Sequence, residues 1–296
     1  MKFLILALTL LLTATSFMPH NNPEKDPCYD QDFVEISNVS YKNEKFTVVM
    51  MKRDGDRIKA KYFAARDNNG NSVYNRYQEW KKRHGNIVLV SSGTYMDNDY
   101  KPQGLTIDNG IPVNESIIYN RMDAMAIVYA TGGIVVTDLT AGDLSVTGGG
   151  ISSGRKLNLR KSATDLEDFI EWSKSQEATV FQTHLLVYKN QLRVDPHTSS
   201  PTKRERRYLA VGKDEDDKIV HLLIHSPGNS SLYEGANKTL AFLNDYKDIN
   251  VIFMINLDTG YQDVFELYNS NCTVNSTIKG TQPLNKAVNL LAYYFQ

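Results

Sequence analysis

Residues 219–257 constrain the fold more than any other part of the chain. An apolar run, Ile219 to Ile224, is followed by Ser231-Leu232-Tyr233-Glu234 and then by a second apolar run, Val251 to Leu257. Ser with Glu three residues later is a capping box. The hydroxyl takes a free N–H at a helix start and the carboxylate returns the bond. Leu232, Ala236, Leu240 and Leu243 then follow at intervals of four, four and three, along one helical face. The two apolar runs are short and rich in β-branched residues, so they read as strands. Strand, helix and strand within about 40 residues make a βαβ crossover unit with parallel strands. Ligands of open α/β sheets gather outside the carboxyl ends of such strands. Those ends are His225-Ser226 and Asp258-Thr259-Gly260, so an imidazole and a carboxylate are expected to flank one crevice. The alternative is two ordinary surface turns.

Upstream, short β-like runs dominate: Phe46 to Met51, Ile58 to Ala64, Ile87 to Val90, Met125 to Tyr129 and Gly133 to Thr137. Asp54-Gly55 signals a hairpin between the first two. Tyr74 to Arg83 reads as a helix, and Thr164-Asp165-Leu166-Glu167 as a second capping box. Ala287 to Phe295 fits a closing strand or an amphipathic helix. The expected fold class is α+β or mixed α/β: a β-rich single domain over residues 33–296, with a mixed sheet and a C-terminal βαβ crossover unit.

The N-terminal residues have another character. Lys2 precedes the apolar run Phe3 to Leu12, and Ala14 and Ser16 form a small-x-small site, so residues 1–16 read as an export signal. The run falls short of the ~20 apolar residues that span a bilayer, a short uncleaved anchor being the alternative, and no later segment is apolar enough to cross a membrane, so no membrane span is expected. Residues 17–32, polar and containing Pro, read as a linker. The expected location is periplasmic or extracellular. There Cys28 and Cys272 could form a disulfide; two free thiols are the alternative. A formal net charge of -1 argues against nucleic acid as a partner.

Further motifs carry a resemblance. Tyr100-Lys101-Pro102-Gln103-Gly104-Leu105 and Asp108-Asn109-Gly110 follow the strand Ile87 to Val90 and Ser91-Ser92-Gly93. Downstream come VFQTHLLVYKNQLRVD, then RRYLAVGKDEDDKIVHLLI, then the helix and strand ending Leu257-Asp258-Thr259-Gly260. In order and spacing, over residues 86–265, these segments resemble the phosphodiester glycosidase family. The sequence departs from the family pattern at several points. The family's Asn-Gly-Gly is Ser91-Ser92-Gly93 here, and its Leu-Asp-Gly-Gly keeps the Asp but has Thr259 for one Gly. The Gly-Pro after Gln-Thr is absent, with His184 nearby. The family's arginine before Ala-Val-Gly aligns with Tyr208, and Arg206 and Arg207 lie just before it. The glycine-rich TGGGISSG, residues 147–154, lies too early to be a family motif and reads as a surface loop, with a phosphate cradle of backbone N–H groups as the alternative.

The resemblance implies hydrolysis of a sugar-1-phosphodiester in a surface or extracellular glycan. A glycan-binding or envelope protein without turnover is the alternative, since the departures fall on pocket positions. Asp258 is the candidate base or electrostatic partner for the oxocarbenium-like transition state. His184 and His225 are candidates for proton transfer. Arg206 and Arg207, in a basic run with Lys203 and Arg204, are candidates for the phosphate. Tyr95, Ser92, Asn256, Thr259 and Gly260 are candidates for the sugar. No cofactor is expected. A divalent cation on Asp258, His184 and His225 is a weaker idea, since no dense ligand motif supports it.

Overall fold

The computed structural model describes residues 28–53, 57–64, 70–197 and 199–296. The expected export signal and the first part of the expected linker lie outside them. In chain order the elements begin with β1 (Val34–Tyr41), β2 (Glu44–Lys52), β3 (Ile58–Phe63), α1 (Val73–Arg83) and β4 (Ile87–Ser91). They continue with β5 (Thr106–Asp108), β6 (Ile111–Asn114), β7 (Ala124–Val128), β8 (Ile134–Asp138), α2 (Ala163–Ser175) and β9 (Thr179–Thr183). Next come β10 (Leu185–Tyr188), β11 (Gln191–Leu192), β12 (Arg204–Lys213), β13 (Ile219–Ser230) and α3 (Leu232–Lys247). The last are β14 (Asn250–Leu257), β15 (Val264–Tyr268), β16 (Val274–Lys279) and β17 (Leu290–Phe295).

The strands form three sheets, in the orders β1-β2-β13-β12-β14-β10-β11, β16-β15-β4-β17-β3 and β6-β5-β9-β7-β8. One apolar cluster lies among them and draws on all three: Val49, Leu209, Leu223 and Ile255 from the first, Leu89, Phe265 and Tyr293 from the second, Ala126, Val136 and Phe181 from the third. Each sheet packs a helix against its other face. α3 buries Leu232, Ala236, Phe242 and Leu243 with Tyr208, Leu222 and Met254. α2 buries Phe169, Ile170 and Trp172 with Ile107, Met125 and Val180. Val73 and Tyr77 of α1 pack with Phe63, Val90, Val264 and Ala292. Sheets buried on both faces read as continuous apolar runs, which is why Ile87–Ser91 and Ala124–Val128 show no alternation.

The β-rich α+β reading agrees with this architecture, but several details differ. The sheet pairings among the described residues are antiparallel throughout, so no sheet is mixed. β13 and β14 run in the same direction, yet β12 lies between them and hydrogen-bonds to both. Asp54-Gly55 lies outside the described residues, and the strands it was expected to join are not partners: β2 pairs with β1 and β13, and β3 with β17. The cap of α2 is Ser162, whose Oγ accepts from Asp165 N at 3.1 Å, in place of Thr164. The capping box at Ser231 and Glu234 forms in both directions. Residues 290–295 are a strand. The end of the expected linker is packed: Cys28 and Tyr29 are buried, and Cys28 is bonded to Cys272.

Two glycines show why small residues stand where they do. Gly235 of α3 faces Tyr208, and a Cβ there would come within 2.2 Å of the phenol oxygen. Gly149, at φ +55, lies against α2, where a Cβ would meet Ser175 Oγ at 2.3 Å. The glycine-rich segment is thus a turn pressed onto a helix, and Trp172 Nε1 donates to Thr147 O at 3.0 Å across the same contact.

Candidate functional site

Four stretches far apart in sequence are joined by direct hydrogen bonds. Asp258 N donates to Gly93 O at 2.8 Å. Thr94 Oγ1 donates to Gln182 O at 2.6 Å, and Thr183 Oγ1 to Asn256 O at 2.7 Å. Thr259 Oγ1 donates to Glu205 O at 3.1 Å. The end of β14 therefore meets the turn after β4, the end of β9 and the start of β12 in one place.

Side chains alternate across a strand, and this divides the polar groups at that place into two sets. Arg207 lies opposite both His225 and Leu257, so the three share the inner face of the first sheet. Tyr208 lies opposite Asn256, on the face toward α3. Arg206 and Arg207, adjacent in sequence, thus point to opposite faces.

The inner set centres on Arg207, which is 0 % exposed. It pairs with Asp263 and donates to Val264 O at 3.2 Å. Its Nη2 is 3.4 Å from His225 Nδ1. His225 stacks on Phe265 with ring centroids 5.9 Å apart. Burial, and then the neighbouring guanidinium, lower His225 to about 4, so it is neutral at pH 7. Glu205 stands beside Asp263, and its carboxyl is raised first by burial and then by that neighbour. An arginine buried in this way needs a counter-ion, and breaking such a pair typically costs about 3–5 kcal/mol.

The outer set centres on Tyr95. Asn256 Nδ2 donates to its hydroxyl, and the His184 ring meets it edge-on at 5.1 Å. Among the described residues no partner reaches Asn256 Oδ1 or His184 Nδ1, although both atoms are buried. Burial lowers His184 to about 4. Arg206 donates from Nε to Ser230 O at 3.2 Å and from Nη2 to Thr202 O at 2.7 Å, so much of its guanidinium is occupied. Arg204 is exposed, and its charge acts on Tyr95 along with those of Asp258 and Arg206.

Asp258 follows β14 and is influenced from both sides: its charge acts on Tyr95, and Asp263 and Arg207 act on it. It is 8 % exposed. Burial is the largest influence on its carboxyl and raises it to about 6, against a bond from Gln262 Nε2 to Oδ2 at 2.7 Å that favours the ionised form.

The remaining sequence candidates have structural partners. Ser92 Oγ accepts from Val264 N at 2.9 Å and donates to Gln262 O at 2.9 Å, which fixes the turn after β4 to β15. Thr259 is tied to Glu205, and Gly260 is exposed at φ +111. Among the described residues no group of three His, Cys, Asp or Glu side chains could hold a metal. Glu205, Gln262 and Asp263 were missed from sequence. A buried Arg in the run RRYLAVG demands an acid, but nothing local says which.

Gly93 carries a test of this packing. A Cβ there would lie 2.5 Å from Tyr62 Cε2 and 2.6 Å from Asn289 Oδ1. Gly93→Ala is expected to destabilise by about 1–3 kcal/mol through overpacking. A urea midpoint unchanged by the substitution would refute the close approach.

No helix among the described residues is long and apolar enough to cross a membrane. No family model matches the chain, and no curated protein sequence matches it. Solved structures that resemble it include three from different sources. The zebrafish N-acetylglucosamine-1-phosphodiester alpha-N-acetylglucosaminidase catalytic domain, auto-inhibited by its pro-peptide, is 16% identical at a TM-score of 0.49, over 89% of this chain and 82% of that one. A Synechocystis hypothetical protein is 11% identical at 0.44, over 89% and 62%. A Burkholderia pseudomallei K96243 protein described as exported is 11% identical at 0.41, over 86% and 74%.

Proposed function

We propose that the chain is an exported hydrolase that cleaves a sugar-1-phosphodiester within a glycan, with Asp258 as its base. The observation that carries this reading is the setting of Asp258. A carboxyl at a strand end, raised to about 6, stands between a Tyr95–Asn256 hydrogen-bonding pair and a buried arginine. Bases tuned toward the working pH are a mark of catalytic sites.

In this account water attacks the anomeric carbon as the C1–O bond breaks, and the phosphate monoester leaves as an anion. Its low basicity removes the need for strong acid assistance. Asp258 accepts the proton of the water and supports the positive charge that builds on the sugar. Asn256 Oδ1 and the Tyr95 hydroxyl take sugar hydroxyls. Arg204, exposed on the same side, takes the phosphate. Arg207 with Asp263 is a positioning pair that sets the field at Asp258.

The test uses alkyl glycosyl phosphates of both anomeric configurations, with release of reducing sugar as the readout. kcat/KM is expected to rise with pH through about 6, as the Asp258 carboxyl ionises, and then to level. Arg204→Ala is expected to raise KM. No reducing sugar from either anomer at any pH would remove the proposal. The internal bonds of Arg206 and Arg207 favour a second reading, a glycan-binding protein without turnover. Saturable binding of the same compounds with no product would establish it.

A further inference from the structure

A cavity of about 710 Å³ among the described residues is lined by none of the candidate site residues. Its walls include Tyr100, Lys101, Tyr261, Gln282, Lys286 and Val288. It is nonetheless joined to Asp258. Val288 N donates to Gln262 Oε1 at 3.3 Å, and Gln262 Nε2 donates to Asp258 Oδ2 at 2.7 Å. One glutamine thus links the cavity wall to the carboxyl.

Three features indicate what the cavity takes. Tyr100 and Tyr261 are each 57% exposed, large apolar surfaces with a polar tip left open at the cavity. Tyr100 is held at φ 59, a conformation aromatic residues rarely adopt. The turn that holds it is fixed by Asp97 Oδ1, which accepts from the N–H groups of Asp99 and Lys101, both at 2.9 Å. Second, Lys101 and Lys286 outnumber the one acid of the lining, Asp99. Third, Gln282 is 6% exposed, and among the described residues no donor reaches its Oε1. A buried acceptor without a donor is costly, and a ligand hydroxyl would satisfy it.

We propose that this cavity binds an anionic saccharide unit. Tyr100 and Tyr261 cover the faces of the sugar, Lys101 and Lys286 meet its acidic substituent, and Gln282 Oε1 accepts from a hydroxyl. Pockets that combine apolar faces with a few placed polar groups bind small molecules in this way. The choice of a sugar rests on the hydrolase reading above. The cavity is then a second subsite, and the substrate is a charged glycan longer than one residue.

The experiment measures binding, apart from turnover. Trigalacturonate, glucose 1-phosphate and neutral maltotriose are titrated into the wild type, Tyr261→Ala and Lys286→Gln by calorimetry and by NMR of the tyrosine rings. At least one charged probe is expected to bind saturably, and maltotriose about tenfold more weakly or not at all. The charged probe that binds tighter distinguishes a phosphate from a carboxylate substituent. Tyr261→Ala is expected to weaken the charged probe about tenfold, and Lys286→Gln to erase its advantage over maltotriose. Equal binding of maltotriose, wild-type affinity in both variants, or no saturable binding of any probe would overturn the proposal. If hydrolysis of alkyl glycosyl phosphates persists without this binding, only the subsite is lost. If binding persists without hydrolysis, the catalytic reading alone fails.

Discussion

Asp258→Asn is expected to abolish hydrolysis and, at neutral pH, to make the protein more stable. The two effects have one cause. Burial raises the carboxyl from 3.8 to about 6, so the folded protein holds an ionised Asp258 at pH 7 less favourably than the unfolded chain does. A difference of about two pKa units corresponds to roughly 3 kcal/mol. Below pH 3.8 the group is protonated in both states, and the penalty is absent. It grows as pH rises toward 6 and is complete above that. Asparagine keeps the shape and can still accept from Gln262, but it carries no charge to desolvate. Urea midpoints of the variant and the wild type should therefore lie closest well below pH 3.8 and separate toward pH 7, with the variant higher. In the proposed mechanism the same change removes the proton acceptor, and loss of a general base typically costs about 10²–10⁴ in rate. A wild-type rate would remove Asp258 from the mechanism. A stability gap that does not depend on pH would mean that the carboxyl is not desolvated.

The parts of this structure that were legible in the sequence are those fixed by neighbouring residues. The capping box of α3, its apolar stripe and the strands β2 and β4 all depend on contacts within a few positions. Strand partners do not. The runs at residues 219–224 and 251–257 were correctly strands in one direction, yet only the long-range pairing of Leu209 with both Leu223 and Ile255 places β12 between them. The start of α2 failed for a local reason. Two hydroxyls, Ser162 and Thr164, compete for the cap. Asp165 decides between them, because its carboxylate is engaged upstream by Asn158 N at 2.8 Å and Arg155 at 2.7 Å. The division of Arg206 from Arg207 follows from the two-residue period of a strand. The identity of the acid beside Arg207 was not available, because Asp263 lies 56 positions away. His225 illustrates the limit from the other side. The sequence put it at a strand end, where chemistry is expected, but β13 runs on to Ser230, and His225 lies within it beside Arg207 and against Phe265.

Loss of the bond between Cys28 and Cys272 is expected to have the largest effect on stability of any single change away from the site. The two Cα atoms are 5.4 Å apart, and the bond closes a loop spanning 244 positions. In the chain-entropy account a loop of that length contributes about 5–6 kcal/mol by restricting the unfolded chain. Other contacts hold the same segment. Cys28 N donates to Ser270 O at 2.6 Å, and Tyr29 Oη to Tyr268 O at 2.9 Å. Tyr29 is buried in the central cluster as well. The reduced protein should therefore keep its N-terminal segment in place and its native near-UV circular dichroism, while its thermal midpoint falls by on the order of 10 °C. Cys272→Ser should match the reduced wild type, since both remove the same restriction from the unfolded state. Melting with and without reductant, with mass spectrometry to count free thiols, makes the comparison. If Cys272→Ser melted with the oxidised protein, the entropic account would be wrong. If near-UV structure were lost on reduction, the bond would be holding the native packing directly, and the contacts of Cys28 and Tyr29 would be consequences of it.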